Sequence, residues 1–212
     1  MAEVANPEKA GPMQAYMKTD QPFYGLQAVP RRKLFKKVAR RHRLESRNEY
    51  KTVILELWRG TYREEMYQAL EAALYYRSFH DIDSWSLYEK LIFSAPWWDT
   101  LDMPASKVIG PLIPQNRDRE KDLRRWAHSD NMWARRASLL VHLHHKEQTN
   151  TELLSDLILQ LAPEEEFFIQ KAIGWILRQY ARTDSDWVQN FIRRHESKLS
   201  SLSIREATKH LK

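Results

Sequence analysis

The sequence predicts an all-α fold, a curved solenoid of stacked helix pairs, and three observations predict it. First, only 5 glycines accompany 42% apolar and 29% charged residues over 212 positions, a balance that favours helices joined by short polar turns. Second, every segment with a clear period is spaced as a helix, and no strand alternation persists. Third, Trp98, Trp133 and Phe168 stand 35 residues apart. At the same offset Asp130 matches Glu165, Arg136 matches Lys171, Ala137 matches Ala172 and Leu140 matches Trp175. The string Asp130…Trp133-Ala134-Arg135-Arg136-Ala137-Ser138-Leu139-Leu140 reads as one helix of a two-helix repeat, with an acidic start and a basic-alanine centre. Stacked units of that size form a superhelix with one concave face.

The elements follow in order. Asn6-Pro7-Glu8-Lys9 reads as an N-cap with proline at the first helical position, and the helix carries Met13, Tyr16 and Met17. Gln21-Pro22-Phe23-Tyr24-Gly25 is a turn. After Pro30 comes the densest charge in the chain, with Arg31, Arg32, Lys33, Lys36, Lys37, Arg40, Arg41 and Arg43 giving eight basic residues in thirteen. Leu34, Phe35 and Val38 form a narrow apolar stripe there, and the remaining surface is cationic. A solvated helix usually mixes signs, so this one suits a polyanion. Helices are expected at 48–58, with Val53, Ile54, Leu55 and Leu57 inward, and at 62–76, with Met66, Ala69, Leu70, Ala73 and Leu74 inward. Asp83 or Ser84 caps a helix at 85–93. Gly110-Pro111 breaks the segment that carries Val108, Ile109, Leu112 and Ile113. Asp118 to Trp126 is short and basic. Asp130 caps 131–144, Asn150 or Thr151 caps a helix to Leu161, and Pro163 with Glu164 to Glu166 opens the longest helix. Asp184 or Ser185 caps another, and Ser203 caps the last.

The length fits one domain, 1–212, with a full-sized core. The absence of cysteine excludes disulfides, thiolate zinc sites and cysteine nucleophiles. No apolar run approaches the roughly 18 residues that span a bilayer, so no membrane partner is expected. No leader pattern is read at the start, so a cytosolic location is expected. The net charge of +6 and pI near 9.4 point to a polyanionic partner.

The richest stretch is Ser94-Ala95-Pro96-Trp97-Trp98-Asp99-Thr100-Leu101-Asp102. Asp99 and Thr100 are both candidate N-caps, which puts Asp102 in or near a first turn, where the helix dipole keeps a carboxylate ionised. Residues four apart share a face, so Trp98 and Asp102 present an indole beside an anion. That pairing suits a cationic, sugar-like transition state; the plainer alternative is a buried Trp pair and an ordinary cap. Trp98, Arg136 and Trp175 on a concave face, with a basic helix at one end, suit DNA, because Lys and Arg supply sequence-independent affinity and Arg can grip a phosphate through two hydrogen bonds.

At these residues the sequence resembles the AlkD family of alkylpurine DNA glycosylases, built from HEAT-like repeats. The resemblance runs from Asn6-Pro7-Glu8-Lys9-Ala10 to Arg205-Glu206-Ala207-Thr208-Lys209-His210. It rests on Tyr16-Met17-Lys18, Gly25-Leu26-Gln27, Glu56-Leu57-Trp58, Trp97-Trp98-Asp99-Thr100-Leu101-Asp102, Ser129-Asp130-Asn131-Met132-Trp133 with Arg136, and Phe167-Phe168-Ile169-Gln170-Lys171-Ala172-Ile173-Gly174-Trp175. It implies that Asp102 is the catalytic carboxylate, flanked by Trp98 and Trp175, and that Arg136 binds backbone phosphate beside the lesion. Tyr16, Gln27 and Arg32 match family positions that face DNA, and Lys36, Lys37 and Arg40 of the basic helix join them. The implied activity is excision of N3- and N7-alkylated purines, such as 3-methyladenine and 7-methylguanine, from duplex DNA without drawing the base into a pocket, unlike the usual extrusion strategy. No metal or other cofactor is implied, and the enzyme is expected to act as a monomer. The pattern is expected to depart from the family in two places: the chain is expected to begin later, and Pro104 follows the catalytic position, so the helix is expected to start later or to turn Asp102 aside.

Other candidates are plainer. Trp58, Trp85, Trp97, Trp126, Trp133 and Trp187 read as packing. His142 and His145 share a helix face, but His144 does not and no third ligand is evident, so no metal site is assigned. Glu164 to Glu166 is favourable charge at a helix start. The expected function is a monofunctional glycosylase that starts base-excision repair of alkylated DNA. The alternatives are a non-catalytic relative that binds damaged or branched DNA and a protein-binding HEAT scaffold.

Overall fold

The structure, a computed structural model, describes residues 1–210, all in helices and connecting turns, with no strand among them. Twelve α-helices are described: α1 (Pro7–Met17), α2 (Ala28–Ala39), α3 (Arg47–Trp58), α4 (Arg63–Tyr75), α5 (Trp85–Phe93), α6 (Trp98–Met103), α7 (Glu120–Ala127), α8 (Met132–Leu140), α9 (Thr151–Leu161), α10 (Phe167–Tyr180), α11 (Ser185–His195) and α12 (Ser201–Thr208). Within each unit they pack mainly against near neighbours in sequence, as the helices of stacked pairs do. Two compact units divide the chain, Met1–Leu87 and Tyr88 onward. No described helix is long and apolar enough to cross a membrane.

In the first unit α3 packs on α4, burying Tyr50, Ile54 and Trp58 of α3 against Met66, Ala69, Leu70 and Ala73 of α4. Val53, Leu55 and Leu57 are only half-buried, so the inward face of α3 lies one position round from the expected one. The segment between α1 and α2 is pinned by a buried carboxylate, Glu64, which accepts the backbone N–H groups of Tyr24 and Leu26 at 3.0 Å each. Gly25 has φ +80°, and a Cβ there would meet the Asn6 carbonyl oxygen at 2.0 Å, so only glycine lets the turn close on α1.

In the second unit α7 packs on α8, α8 on α9 and α10, and α10 on α12. A Cβ on Gly174 would meet Glu206 Cβ at 2.4 Å and the Ser203 carbonyl oxygen at 2.8 Å, which is why α12 can lie so close to α10. Glu206 then joins Lys171, Arg178 and Lys209. Hydrogen bonds from Lys209, Arg178 and Lys171 hold its carboxyl down at about 2. Trp126, fully buried, donates its indole N–H to Glu89.

Several caps fall where expected. Asn6, Asn150 and Asp184 accept backbone N–H bonds at the starts of α1, α9 and α11. Others shift. Asn131 rather than Asp130 caps α8, Ser200 rather than Ser203 caps α12, and Asp81 caps a short 3-10 turn before α5. In each case the observed cap lies outside the helix and two or three residues before the N–H it accepts, where its carbonyl is free to begin the ladder.

Candidate active site

The start of α6 differs from the expected one. Trp97 is extended, with φ −160° and ψ 168°, and is the N-cap residue, though no side chain caps this end. Asp99 therefore occupies the first turn, and Asp102 the last. The dipole argument for a first-turn Asp102 does not apply here. The helix does not start later on account of Pro104 either. Pro104 has no N–H to give to the preceding turn, and the chain widens there into a π-helical turn, Pro104–Ile109, before a 3-10 turn at Gly110–Leu112. Ser106 Oγ donates to the Asp102 carbonyl at 2.6 Å, one turn back along the chain.

What holds the Asp102 carboxylate is Arg136, in the middle of α8. Arg136 Nε donates to Oδ1 at 2.9 Å and Nη2 to Oδ2 at 2.8 Å, a planar two-pronged pair. A third anchor is the Phe168 backbone carbonyl, which accepts from Arg136 Nη1. The Arg136 side chain is 6% exposed and that of Asp102 17%. Burial raises the Asp102 carboxyl above its ordinary range; the Arg136 hydrogen bonds and charge pull it back down, and Asp99 pushes it up. Asp102 and Arg136 thus form a largely buried, two-pronged pair with a third anchor on the backbone of α10.

Around the pair is an aromatic triangle. Trp97 lies 5.5 Å from Trp133 and 5.3 Å from Phe168, and Trp133 lies 5.1 Å from Phe168, all edge-on or tilted. The Arg136 guanidinium carbon is 5.8 Å from the centre of the Phe168 ring. All three rings are half-buried. The residues at the 35-spacing are thus only partly the residues in contact, since Trp97 rather than Trp98 completes the triangle. Trp98, also half-buried, shares the Asp102 face of α6 by its spacing. Trp175, half-buried, lies two turns along α10 on the Phe168 face.

Sequence reasoning missed two features of this site. Trp97 and Trp133 read as core or inter-repeat packing, and they do pack between helices, but their place beside the Asp102–Arg136 pair was not foreseen; Trp58, Trp85 and Trp126 are the buried ones. Arg135 was not singled out; it makes its own two-pronged pair with Glu164 at 2.8 and 3.0 Å and donates to the Ser129 and Asp130 carbonyls. Two adjacent arginines thus tie α8 to the entry of α10. The available signal was an arginine pair inside Ala134-Arg135-Arg136-Ala137, where a helix otherwise built for burial needs acceptors for both.

The basic candidates lie in the first unit. Lys36, Lys37 and Arg40 are exposed, and with Lys33 and Arg41 they line one surface depression, a purely cationic one. Arg40, Arg41 and Arg43 fall beyond α2, which ends at Ala39. Arg31 corrects the expectation of an all-round cationic surface: it is 7% exposed and lies over the Tyr67 ring at 4.7 Å. Arg32 is paired with Glu71 at 2.7 Å while its side chain stays half exposed. Tyr16, 74% exposed, and Gln27 line another depression with Met13, Met17 and Phe23, and Gln27 accepts from Lys9 Nζ at 3.0 Å. His142 and His145 are buried, with ring centres 5.0 Å apart. His145 Nε2 sits 2.8 Å from the Gly110 carbonyl, which requires the Nε2–H tautomer. Burial lowers both histidines, His145 to about 4. Among the described residues no group of three or more His, Cys, Asp or Glu is placed to hold a metal ion.

No protein of curated function matches the chain. A solved structure described as a predicted DNA alkylation repair enzyme from Enterococcus faecalis is 33% identical, with a TM-score of 0.88 over 98% of this chain and 96% of that one. The family model for DNA alkylation repair enzymes matches residues 1–211. The chain belongs to the DNA alkylation repair enzyme family.

Proposed function

We propose that this chain is a monofunctional DNA glycosylase, acting as a monomer in the bacterial cytosol. It hydrolyses the N-glycosidic bond of cationic alkylated purines, 3-methyladenine and 7-methylguanine among them, in duplex DNA. The observation that carries the reading is the Asp102 carboxylate: largely buried and fixed by Arg136, with 17% of its side-chain surface still exposed. An alkylated purine already bears positive charge. When the bond from C1′ to the purine nitrogen breaks, the electron pair goes to the base, which leaves neutral without an acid. The difficulty is then the cationic sugar and the water that must reach it. A preorganised anion stabilises that charge, and Asp102 accepts the proton from water as oxygen bonds to C1′. The products are free base and an abasic site.

Trp98 and Trp175 offer electron-rich faces to the cationic base or sugar. Arg136, expected to grip phosphate, has three of its N–H groups committed to Asp102 and Phe168. Its first role in this reading is to hold Asp102, and contact with a backbone phosphate draws on its two remaining N–H groups. Tyr16, Gln27, Arg32, Lys36, Lys37 and Arg40 bind the duplex, the lysines and arginines through backbone phosphate.

Because both Asp102 oxygens are already engaged, the second reading is a non-catalytic protein that binds damaged or branched DNA, with the ion pair as a brace. Incubating the protein with duplex carrying a single 7-methylguanine, and measuring free base and abasic sites, separates the two. Base release above the spontaneous rate supports the glycosylase; tight binding with no release supports the brace.

A further inference from the structure

We propose that the Trp97–Trp133–Phe168 triangle is a positioning device: it sets the register of three helices and, through Arg136, fixes the orientation of the Asp102 carboxylate. The inference rests on the glycosylase reading for its consequence, and on geometry for its content. Each ring stands at the beginning of one helix. Trp97 immediately precedes α6, which carries Asp102; Trp133 is in the first turn of α8, which carries Arg136; Phe168 is in the first turn of α10, which carries Trp175. The three centroid distances, 5.1 to 5.5 Å, close the triangle. Edge-on contacts at this range are favourable and directional, so each ring restrains the other two.

The polar half of the site needs that restraint. A two-pronged ion pair alone can swing as a unit. The third anchor, the Phe168 carbonyl on Arg136 Nη1, stops the swing only if the start of α10 is itself fixed. No side chain caps α10 at Glu166, and α6 likewise has no side-chain cap. The Arg135–Glu164 pair ties the approach to α10, and the Phe168 ring, wedged against both indoles and beneath the guanidinium, adds the fixing of its first turn that the caps do not supply. None of the three rings is fully buried, unlike the core residue Trp126, so core burial alone does not account for them.

The consequence is electrostatic. The charged groups that face Asp102 are Arg136 from α8 and Asp99 from its own helix. Lys107 on the π-turn is exposed, and Lys171 of α10 is taken by Glu206. If the triangle loosens, Arg136 drifts, and burial and Asp99 act on Asp102 with less opposition. Asp102 then holds its proton to higher pH.

The test compares Phe168→Ala, which keeps the backbone carbonyl but removes the ring, with Phe168→Tyr, which keeps the ring. The Asp102 carboxyl is titrated by NMR of its side-chain carbon in the free protein, and single-turnover release from 7-methylguanine duplex is measured against pH. In Phe168→Ala the titration and the acid limb of release should move up together by about one pH unit, tenfold in proton affinity; Phe168→Tyr should restore both. Should Phe168→Ala fail to fold, Trp133→Leu is read in the same way. An unchanged Asp102 titration in a folded variant overturns the proposal. A shifted titration in a protein whose wild type releases no base would uphold the positioning device while removing the glycosylase.

Discussion

Arg136→Ala deletes one side of the ion pair and leaves the other buried. Three hydrogen bonds go at once: two to Asp102 and one to the Phe168 carbonyl. Breaking a buried pair by removing one partner costs about 3–5 kcal/mol, whereas an exposed pair is worth about 0–1 kcal/mol. Arg136 is almost wholly buried but Asp102 keeps 17% of its side-chain surface, so water still reaches the orphaned carboxylate. The lower end, about 3 kcal/mol, is expected, and for a chain of this size that lowers Tm by roughly 6–12 °C. The loss also depends on pH. Without Arg136, burial holds the Asp102 pKa in the folded protein above its unfolded value. Ionisation then penalises the fold, fully above the raised pKa and progressively less below it. Urea unfolding at pH 8 and pH 5 checks both statements, and a cycle with Asp102→Asn isolates the pair. The double variant should be little worse than Arg136→Ala alone. A loss below about 1 kcal/mol that is the same at both pH values, with no coupling in the cycle, would refute the reasoning.

Reversing charge at Lys36, Lys37, Arg40 and Arg41, all exposed, should weaken affinity for undamaged duplex and flatten its salt dependence by about one slope unit per lost phosphate contact; an unchanged slope means these residues do not meet phosphate. The buried, neutral His145 should make stability fall as pH drops from about 6.5, where the unfolded chain begins to take up protons, toward the folded value of about 4. Over that window His145 alone accounts for about 3 kcal/mol. His145→Gln should flatten the curve of unfolding free energy against pH, and an equally steep curve in the variant would assign the acid sensitivity elsewhere.

How much was legible follows from the range of each interaction. Caps act within three residues, so Asn6, Asn150 and Asp184 could be read directly. So could the helical class, the exposure of Lys36 and Lys37, and the membership of Asp102 and Arg136 in one candidate site. Their pairing could not, because they lie 34 residues apart and a solvent-facing phosphate clamp has the same spacing. The register of α6 was misread because Asp99 and Thr100 look like caps by residue type, whereas Trp97, with no capping side chain, takes the position through the packing of its ring. Arg31 sits within a run of cations, and its burial depends on another helix, where the Tyr67 ring lies beneath its guanidinium. The π-turn at Pro104 depends on where the freed carbonyls find donors, which local sequence does not specify.

The central claim is that the ionised Asp102 carboxylate stabilises the sugar cation, and Asp102→Asn tests it most directly. Asparagine keeps the size and one acceptor for Arg136 while removing the charge. Single-turnover release of 7-methylguanine and thermal unfolding should be measured on the same preparation, so that release is counted per folded molecule. The account predicts that release falls by on the order of a hundredfold or more, the effect of losing one preorganised electrostatic group, roughly 3 kcal/mol. Duplex affinity should hold or rise slightly, since a negative charge has gone. A folded Asp102→Asn protein that releases base at the wild-type rate would contradict it.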